Sequence, residues 1–366
     1  EVRTDAVQNL VAAIHIAGYK AVDLPCIPEV VLCFADKVLR GCRVTKISTH
    51  DWAGFDSPNF PPLGTIGEHI KINTKLIWEG PKEGKDFFIN EEIATEVMRK
   101  IEVLELGLFP GFKASQLKTI LGLPNVKGVV LRTFGNGNAP GNPQFLQVID
   151  DAINGPDPCT ILSVTKCPKG MVEMGMYAAS IALLERGVIS GLDMTGEAAM
   201  AKLFWTLGTQ TGPGIAAQLQ INQRGEQSEN LFDLHYGTGG SKDEPVDRFT
   251  GSIAPDSRLL RPKLSRSVVR LSGAGFSGIE YGHVARVRIF MNHPDASSTT
   301  PADDPRCVAE FIHLWEGEPA TLIQDITEKT TAVMDQGNIS LTVVPLDGVK
   351  VWFKGLYLAL FSEAAF

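Results

Sequence analysis

A chain of 366 residues with 44% hydrophobic and 21% charged side chains has the composition of a globular protein of two or three domains. Its formal net charge of −8 argues against a nucleic-acid partner, because such surfaces need basic side chains to neutralise phosphates. No apolar run reaches the roughly 18 residues of a membrane span, so no membrane partner is expected.

Six cysteines are scattered along the chain, at positions 26, 33, 42, 159, 167 and 307. None forms a C-x-x-C pair and the histidines do not cluster at metal-ligand spacing, so neither a metal site nor a cofactor is predicted. With no signal peptide visible, reduced thiols and a cytoplasmic location are expected. The chain begins at Glu1 within a helical pattern, which indicates a fragment or a truncated gene product.

Residues 1–77 are predicted to be the remainder of a truncated N-terminal α/β domain. Apolar residues recur at helical spacing between Thr4 and Gly18, two residues suited to start and stop a helix. Short strands are predicted next, the second with Gly41 as a bulge, and a Pro-rich loop follows them. The predicted strands are residues 29–34, 38–47 and 70–72. The charged stretch over residues 78–99 is predicted to be a linker.

Residues 100–229 are predicted to form a smaller α/β domain with a parallel sheet, because strand and helix patterns alternate along them. The predicted strands are residues 102–106, 128–134 and 160–164, and the predicted helices are residues 113–121, 143–153, 174–186 and 195–207. Ligands of such sheets bind at the carboxyl ends of the strands, where Arg132 and the Gly-Asn loop at residues 135–138 lie.

The C-terminal third is predicted to be an antiparallel β-sandwich over residues 251–366, joined by a linker over residues 230–250 that is rich in Gly, Ser and Asp. Residues 285–291 and 339–343 alternate apolar with polar side chains, as half-buried strands do. Short strands at regular spacing are typical of a sandwich or barrel. The predicted strands are residues 268–271, 283–292, 308–315, 321–326, 339–344 and 351–361.

Several segments resemble the cytosolic, or type I, L-asparaginase family. The sequences Arg-Gly-Cys-Arg-Val-Thr-Lys at residues 40–46 and Ser-Pro-Asn-Phe-Pro-Pro-Leu at residues 57–63 are similar to the family's lysine segment. Further similarity lies in Gly-Asn-Gly-Asn-Ala-Pro at 135–140, Lys-Gly-Met-Val-Glu-Met-Gly-Met-Tyr-Ala-Ala at 169–179 and Gly-Val-Ile-Ser-Gly-Leu-Asp-Met-Thr at 187–195. Because the segments occur in the family's order, the chain is identified as a member.

The resemblance implies a threonine-dependent amidohydrolase that converts L-asparagine and water to L-aspartate and ammonia, as a homodimer or higher homo-oligomer. It implies that Lys46 completes a Thr-Lys-Asp catalytic set, that Asn138 serves the partner subunit's substrate, and that Glu173 lies beside the substrate. It also implies that Arg132 holds an effector asparagine, with Thr45 nearby. By its chemistry alone, a lysine after a strand is usually a solvated surface residue, but a buried one with a lowered pKa can act as a base.

The family's two nucleophile motifs, Gly-Gly-Thr-Ile-Gly and Gly-Thr-Asp-Thr, are absent from the chain. Residues 63–67, Leu-Gly-Thr-Ile-Gly, resemble the first motif but follow the lysine segment, so Thr65 is predicted to be a helix or loop residue. Impaired activity is expected, because removing a nucleophile abolishes nearly all covalent catalysis. Asp193 is expected to cap the helix that follows it.

The C-terminal β domain resembles nothing in the asparaginase core. Residues 288–296 and 300–305 are similar to the jelly-roll domain that follows the copper domain of tyrosinases and polyphenol oxidases, but no copper-binding histidine set is present. A packing or protein-contact role is therefore expected. Three functions stay open: an L-asparaginase-type amidohydrolase, a non-catalytic asparagine-binding or regulatory protein, and a hydrolase of other amides or lysophospholipid esters.

Overall fold

The computed structural model describes residues 4–78, 99–175, 178–253, 264–333 and 339–363. They divide into a first compact unit that ends at Ser228 and a second unit over Glu229–Glu363. Nearly all of the linker predicted over residues 78–99 lies outside the described residues.

A helix and a small antiparallel sheet form the N-terminal part of the first unit. The elements are α1 Ala6–Ala17, β1 Val31–Phe34, β2 Lys37–Arg40, β3 Thr45–Lys46, β4 Phe55–Asp56, β5 Gly64–Ile66 and β6 Ile70–Ile72. Strands β1, β2, β5 and β6 pair in that order, and β3 pairs separately with β4. Buried side chains from α1, from the sheet and from the Pro-rich loop form one core: Ile16, Cys33, Val38, Phe60 and Leu63.

Two local predictions in this part were wrong. Gly41 begins a 3₁₀ turn, Gly41–Arg43, which ends β2 where one continuous strand was expected. A Cβ atom at position 41 would lie 2.9 Å from the carbonyl oxygen of Val30, so glycine allows the backbones to approach. Thr65 is an exposed residue of strand β5 and pairs with Lys71, so it is neither in a helix nor in a loop.

A parallel sheet in the order β10-β9-β8-β7 forms the rest of the first unit, as predicted. Its elements are β7 Glu102–Gly107, α2 Ala114–Leu121, β8 Val126–Thr133, α3 Pro143–Asn154, β9 Thr160–Thr165, α4 Ala178–Leu184, β10 Ile189–Ser190, α5 Gly196–Thr209 and α6 Pro213–Leu219. Val129 and Leu131 pack in the core formed with α2, α3 and α4, whereas Val130 packs in the core formed with α5 and α6. Helices therefore cover both faces of the sheet.

Two antiparallel sheets share one core in the second unit, as the sandwich prediction required. The elements are β11 Glu229–Gly239, β12 Phe249–Ile253, β13 Leu264–Ser277, β14 Val284–Met291, β15 Cys307–Leu314, β16 Ala320–Asp325, α7 Thr327–Val333, β17 Ile339–Pro345 and β18 Lys350–Glu363. The sheet orders are β11-β18-β13-β16 and β12-β17-β14-β15. Val269 and Leu358 of one sheet meet Ile289 and Val343 of the other in the core.

The linker predicted over residues 230–250 was wrong for most of its first half, because β11 pairs along β18 from Glu229 to Gly239. The glycines of β11 serve close packing rather than flexibility. A Cβ atom at Gly239 would lie 2.3 Å from a ring carbon of Phe353, which no side chain tolerates without a shift. A glycine-rich composition usually indicates a loop, but in β11 the glycine makes room for an aromatic ring.

A buried guanidinium joins the N-terminal part of the first unit to its parallel-sheet part. The Arg43 side chain is 1% exposed. Its Nη2 donates to the Asp193 carboxylate at 2.8 Å, and its Nη1 donates to the carbonyl oxygen of Glu226 at 2.8 Å. The Asp193 carboxylate also accepts the backbone N–H of Ser228 at 2.9 Å. The predicted capping role of Asp193 was wrong, because the hydroxyl of Thr195 caps α5 instead.

Replacing Gly239 with alanine is expected to lower the free energy of unfolding of the second unit by about 1–3 kcal/mol, because the added methyl group overpacks the Phe353 ring. Thr238→Ala, at the exposed neighbouring position, is the matched control and should change it by less than about 0.5 kcal/mol. Urea unfolding followed by tryptophan fluorescence measures both. Equal midpoints for the two variants would show that residue 239 is not packed.

Arg43→Met is expected to destabilise the first unit by about 3–5 kcal/mol, because it leaves the Asp193 carboxylate buried without its cation. Lys37→Met removes an ion pair with Asp56 whose side chains are 38% and 39% exposed, and it should cost at most about 1 kcal/mol. Thermal and urea unfolding compare the two. A loss of similar size in both variants would contradict the anchoring role of Arg43.

Candidate functional site

Thr45 and Lys46 form the two-residue strand β3. Because successive side chains of a strand point to opposite faces, these two neighbours face different surroundings. The Thr45 hydroxyl donates to the carboxylate of Glu197 at 2.8 Å, in the first turn of α5. The ammonium of Lys46 lies 4.8 Å from the centroid of the Phe55 ring on the paired strand β4.

Lys46 is exposed, and its Nζ makes no hydrogen bond to any of the described residues. A general base for a hydroxyl nucleophile needs that hydroxyl, and a group that orients the base, within hydrogen-bond reach. The described residues supply neither group at Lys46. Its catalytic role therefore stays a prediction.

Arg132 lies near the carboxyl end of β8, where the parallel sheet was expected to place a ligand site. Its Nη1 donates to the carboxylate of Glu105 at 3.3 Å, and the two side chains are 33% and 40% exposed. A Cβ atom on Gly196 would lie 3.0 Å from Glu105 and 3.5 Å from Arg132, so the pair lies over the start of α5. The Nε atom of Arg132 is buried and has no partner among the described residues.

The structure therefore brings Thr45 and Arg132 to one place. Thr45 bonds Glu197, and Arg132 lies beside Gly196, the preceding residue of α5. The first turn of a helix carries unsatisfied N–H groups and a partial positive charge, which favour anions. A guanidinium beside that turn adds paired, charge-assisted donors for a carboxylate. The carboxylates of Glu105 and Glu197 lie at the same turn, so the arrangement is suited to a small molecule that carries both a carboxylate and an ammonium group.

Asn138 and Glu173 form a second group, at the Gly-Asn loop. Phe134 and Asn138 exchange two backbone hydrogen bonds of 2.8 Å, which close the loop into a tight turn. Gly137 has a φ of +110°, a conformation that favours glycine. The Asn138 Oδ1 atom is buried without a hydrogen-bond partner in the described part of the chain. The backbone N–H of Glu173 donates to the carbonyl oxygen of Asn136 at 3.1 Å.

Sequence reasoning missed the polar contacts that hold β3 and its loop against the parallel-sheet part. Besides Arg43, the Asn59 amide bridges the two parts. Its Nδ2 donates to the carbonyl oxygens of Gly170 and Asp193 at 2.9 Å, and its Oδ1 accepts the Gly170 N–H at 2.8 Å. The sequence feature that could have indicated this bridge is Asn59 itself, an amide side chain among prolines and aromatic residues shortly after the lysine segment.

A buried ion pair beside the 3₁₀ turn was also missed. Lys202 Nζ lies 2.7 Å from the Glu226 carboxylate, and the side chains are 4% and 6% exposed. Burial alone would raise the pKa of Glu226, but Lys202 and backbone N–H donors hold it below its ordinary value. Burial lowers the pKa of Lys202, and Glu226 opposes that effect. Nearby, burial raises the pKa of the Cys42 thiol to about 11, so the thiol is neutral and unreactive at neutral pH.

The described residues contain neither a cluster of metal ligands nor a membrane-spanning helix. Within them, no group of three or more His, Cys, Asp or Glu side chains is arranged to bind a metal ion. The helices in these ranges are too short or too polar to span a membrane. All six cysteines carry free thiols.

Two family models match the chain. Residues 1–78 match the model described as "Asparaginase, N-terminal", and residues 102–218 match "Glutaminase/Asparaginase C-terminal domain". Together these segments make up more than half of the chain. The whole second unit, Glu229–Glu363, lies beyond the last residue that these models match.

Individual proteins show the same similarity. The chain is 37% identical over 236 residues to the 60 kDa lysophospholipase of Mus musculus. This alignment covers 63% of this chain and 38% of that protein. The chain is 34% identical over 228 residues to L-asparaginase 1 of Escherichia coli K12, and this alignment covers 62% of each of the two chains. The solved structure of L-asparaginase I from Vibrio cholerae superposes with a TM-score of 0.54 at 34% identity, over 62% of this chain and 64% of that one.

The chain thus spans 38% of the length of the lysophospholipase and 62% of the length of the E. coli asparaginase. Both family models and the relative named L-asparaginase 1 indicate the same family, and the solved structure agrees with it in fold. Through residues 1–78 and 102–218, the chain belongs to the glutaminase/asparaginase family.

Proposed function

We propose that this chain is an L-asparaginase-type amidohydrolase of the cytoplasmic type I, which hydrolyses L-asparagine to L-aspartate and ammonia as a homodimer or higher homo-oligomer. The observation that carries the proposal is the bond from Thr45 to Glu197, at 2.8 Å. It docks the lysine segment on the first turn of α5, beside Arg132. Relatives named L-asparaginase 1 and L-asparaginase I support the choice of reaction.

In the proposed reaction, a threonine hydroxyl attacks the side-chain amide carbon of asparagine and its proton passes to Lys46. The C–N bond breaks, ammonia leaves with a proton, and water hydrolyses the resulting ester to aspartate. Asn138 of one subunit and Glu173 are proposed to bind the substrate. The motifs that carry the family's threonines are absent from the 366 residues, so we propose that these residues by themselves are impaired in catalysis.

A second proposed function is asparagine binding without hydrolysis, at an effector site formed by Arg132 and Thr45. Arg132 favours it, because only its Nη1 atom is bonded to a described residue and a bound carboxylate would take up its accessible donors. The neighbouring helix start adds attraction for the same carboxylate. This function needs no nucleophile and is therefore available to the chain as it stands.

Ammonia release from millimolar L-asparagine tests the catalytic proposal. The 366-residue chain is expected to release ammonia at no more than the background rate, and a longer chain carrying a family-like N-terminal segment is expected to be active. Lys46→Met in that longer chain should lose activity by at least about 100-fold, because the hydroxyl loses its proton acceptor. Lys71→Met, an exposed lysine on β6, is the matched control.

Full activity of the bare chain would contradict the proposed impairment, and full activity of Lys46→Met would contradict the role of Lys46. Because one relative is named a lysophospholipase, the same proteins are to be assayed with a lysophosphatidylcholine. Release of fatty acid without release of ammonia would show that the substrate is a lysophospholipid and not asparagine.

Calorimetric titration with L-asparagine tests the effector site. Arg132→Lys is expected to weaken binding about ten-fold, because an ammonium cannot reproduce the paired donors of the guanidinium. Arg186→Lys is the matched control, since Arg186 lies in the same part and donates to the carbonyl oxygen of Ala182 in α4. Unchanged affinity in Arg132→Lys would remove Arg132 from the site.

A further inference from the structure

A cavity of about 220 Å³ opens beside α5, and its lining does not include Thr45, Glu197 or Arg132. Residues 198, 201, 202 and 205 line it, and this i, i+3, i+4, i+7 spacing places them on one face of the helix. Cys42 from the 3₁₀ turn and Arg224 from the loop after α6 line the other side. Three separate segments of the first unit therefore build the cavity.

The ion pair of Lys202 and Glu226 closes the cavity without offering charge to a ligand. The Lys202 ammonium donates to Glu226, to the carbonyl oxygen of Ile221 and to the amide oxygen of Gln227, each at 2.7 Å. All three of its donors are thus used. Glu226 also accepts the backbone N–H of Arg224 at 2.6 Å. The two charges compensate each other, which leaves the inner part of the cavity effectively neutral.

The walls suit a flat apolar group. Ala198 and Ala201 lie one turn apart and present only methyl groups, so they leave a shallow, smooth recess along α5. Trp205 borders that recess and is 44% exposed, so its indole is available to pack on a ligand ring. The neutral thiol of Cys42 adds a soft contact of the kind that aromatic rings favour.

Arg224 brings a positive charge to the lining of the cavity. Arg224 is exposed, and its Nη1 donates to the carbonyl oxygen of Gln223 at 2.7 Å. Its other guanidinium donors have no partner in the described part of the chain. A guanidinium with free donors at the edge of an apolar recess is suited to bind a carboxylate whose body lies inside.

We propose that this cavity binds a flat aromatic carboxylate, with its ring between Trp205 and the alanine face of α5 and its carboxylate on Arg224. The cavity exceeds the roughly 150 Å³ that accommodate benzene, so a two-ring compound fits. The site is separate from amide hydrolysis, and it does not depend on the function proposed above.

Ligand-detected NMR and calorimetry with 2-naphthoate test the proposal on the full chain, with neutral 2-naphthamide as the comparison probe. The chain is expected to bind 2-naphthoate with a Kd on the order of 0.1–1 mM. Arg224→Gln should weaken 2-naphthoate about ten-fold and leave 2-naphthamide within about two-fold. Trp205→Ala should weaken both probes about ten-fold.

Ala201→Phe fills the recess from an exposed helix position and should abolish binding of both probes, whereas Gln144→Phe, an exposed position on α3, should not change it. Thermal unfolding checks that each variant is folded. No binding of 2-naphthoate to the parent chain at 5 mM, on the order of ten times the expected Kd, overturns the proposal. So does binding that survives Ala201→Phe, or an Arg224→Gln effect that is equal for the two probes.

Discussion

The buried contact between Arg43 and Asp193 is the interaction on which the first unit depends. It connects residues 150 positions apart, and it anchors the lysine segment three residues before Lys46. Asp193 in turn lies just before Thr195, whose hydroxyl caps α5. One ion pair thus fixes both the strand that carries Thr45 and the helix start that Thr45 contacts. Because it is buried, removing either partner leaves an uncompensated charge.

The fold was predictable where hydrophobic periodicity was strong. The alternation of Val129, Val130 and Leu131 between two cores is what a parallel sheet covered on both faces requires, and the sequence shows it as an unbroken apolar run. The linker prediction failed because glycine occurs both in flexible loops and at tightly packed strand positions. In β11, Gly239 makes room for Phe353, and no local pattern distinguishes that from a flexible link. Only the partner strand β18, over a hundred residues later, decides it.

The candidate site was likewise predictable in part. Family resemblance pointed to Thr45 and Arg132, and both lie at the first turn of α5. The surroundings of Lys46 could not be read from the sequence, because they depend on which side chains approach an exposed strand face from elsewhere in the fold. Asn59, Lys202 and Glu226 were missed for a related reason. Whether such a polar residue is buried depends on hydrogen-bond and ion-pair partners that are distant in the sequence.

Strand β3 is only two residues long, and its register rests on the pairs Thr45 with Asp56 and Lys46 with Phe55. The side chains of a strand alternate between its faces, so a slip of a single residue would exchange the two environments. Lys46 would then turn toward the Glu197 carboxylate, and Thr45 would turn outward. In this region, insertions and deletions are therefore more damaging than substitutions, since changing the length of the 3₁₀ turn by one residue inverts the strand that follows it.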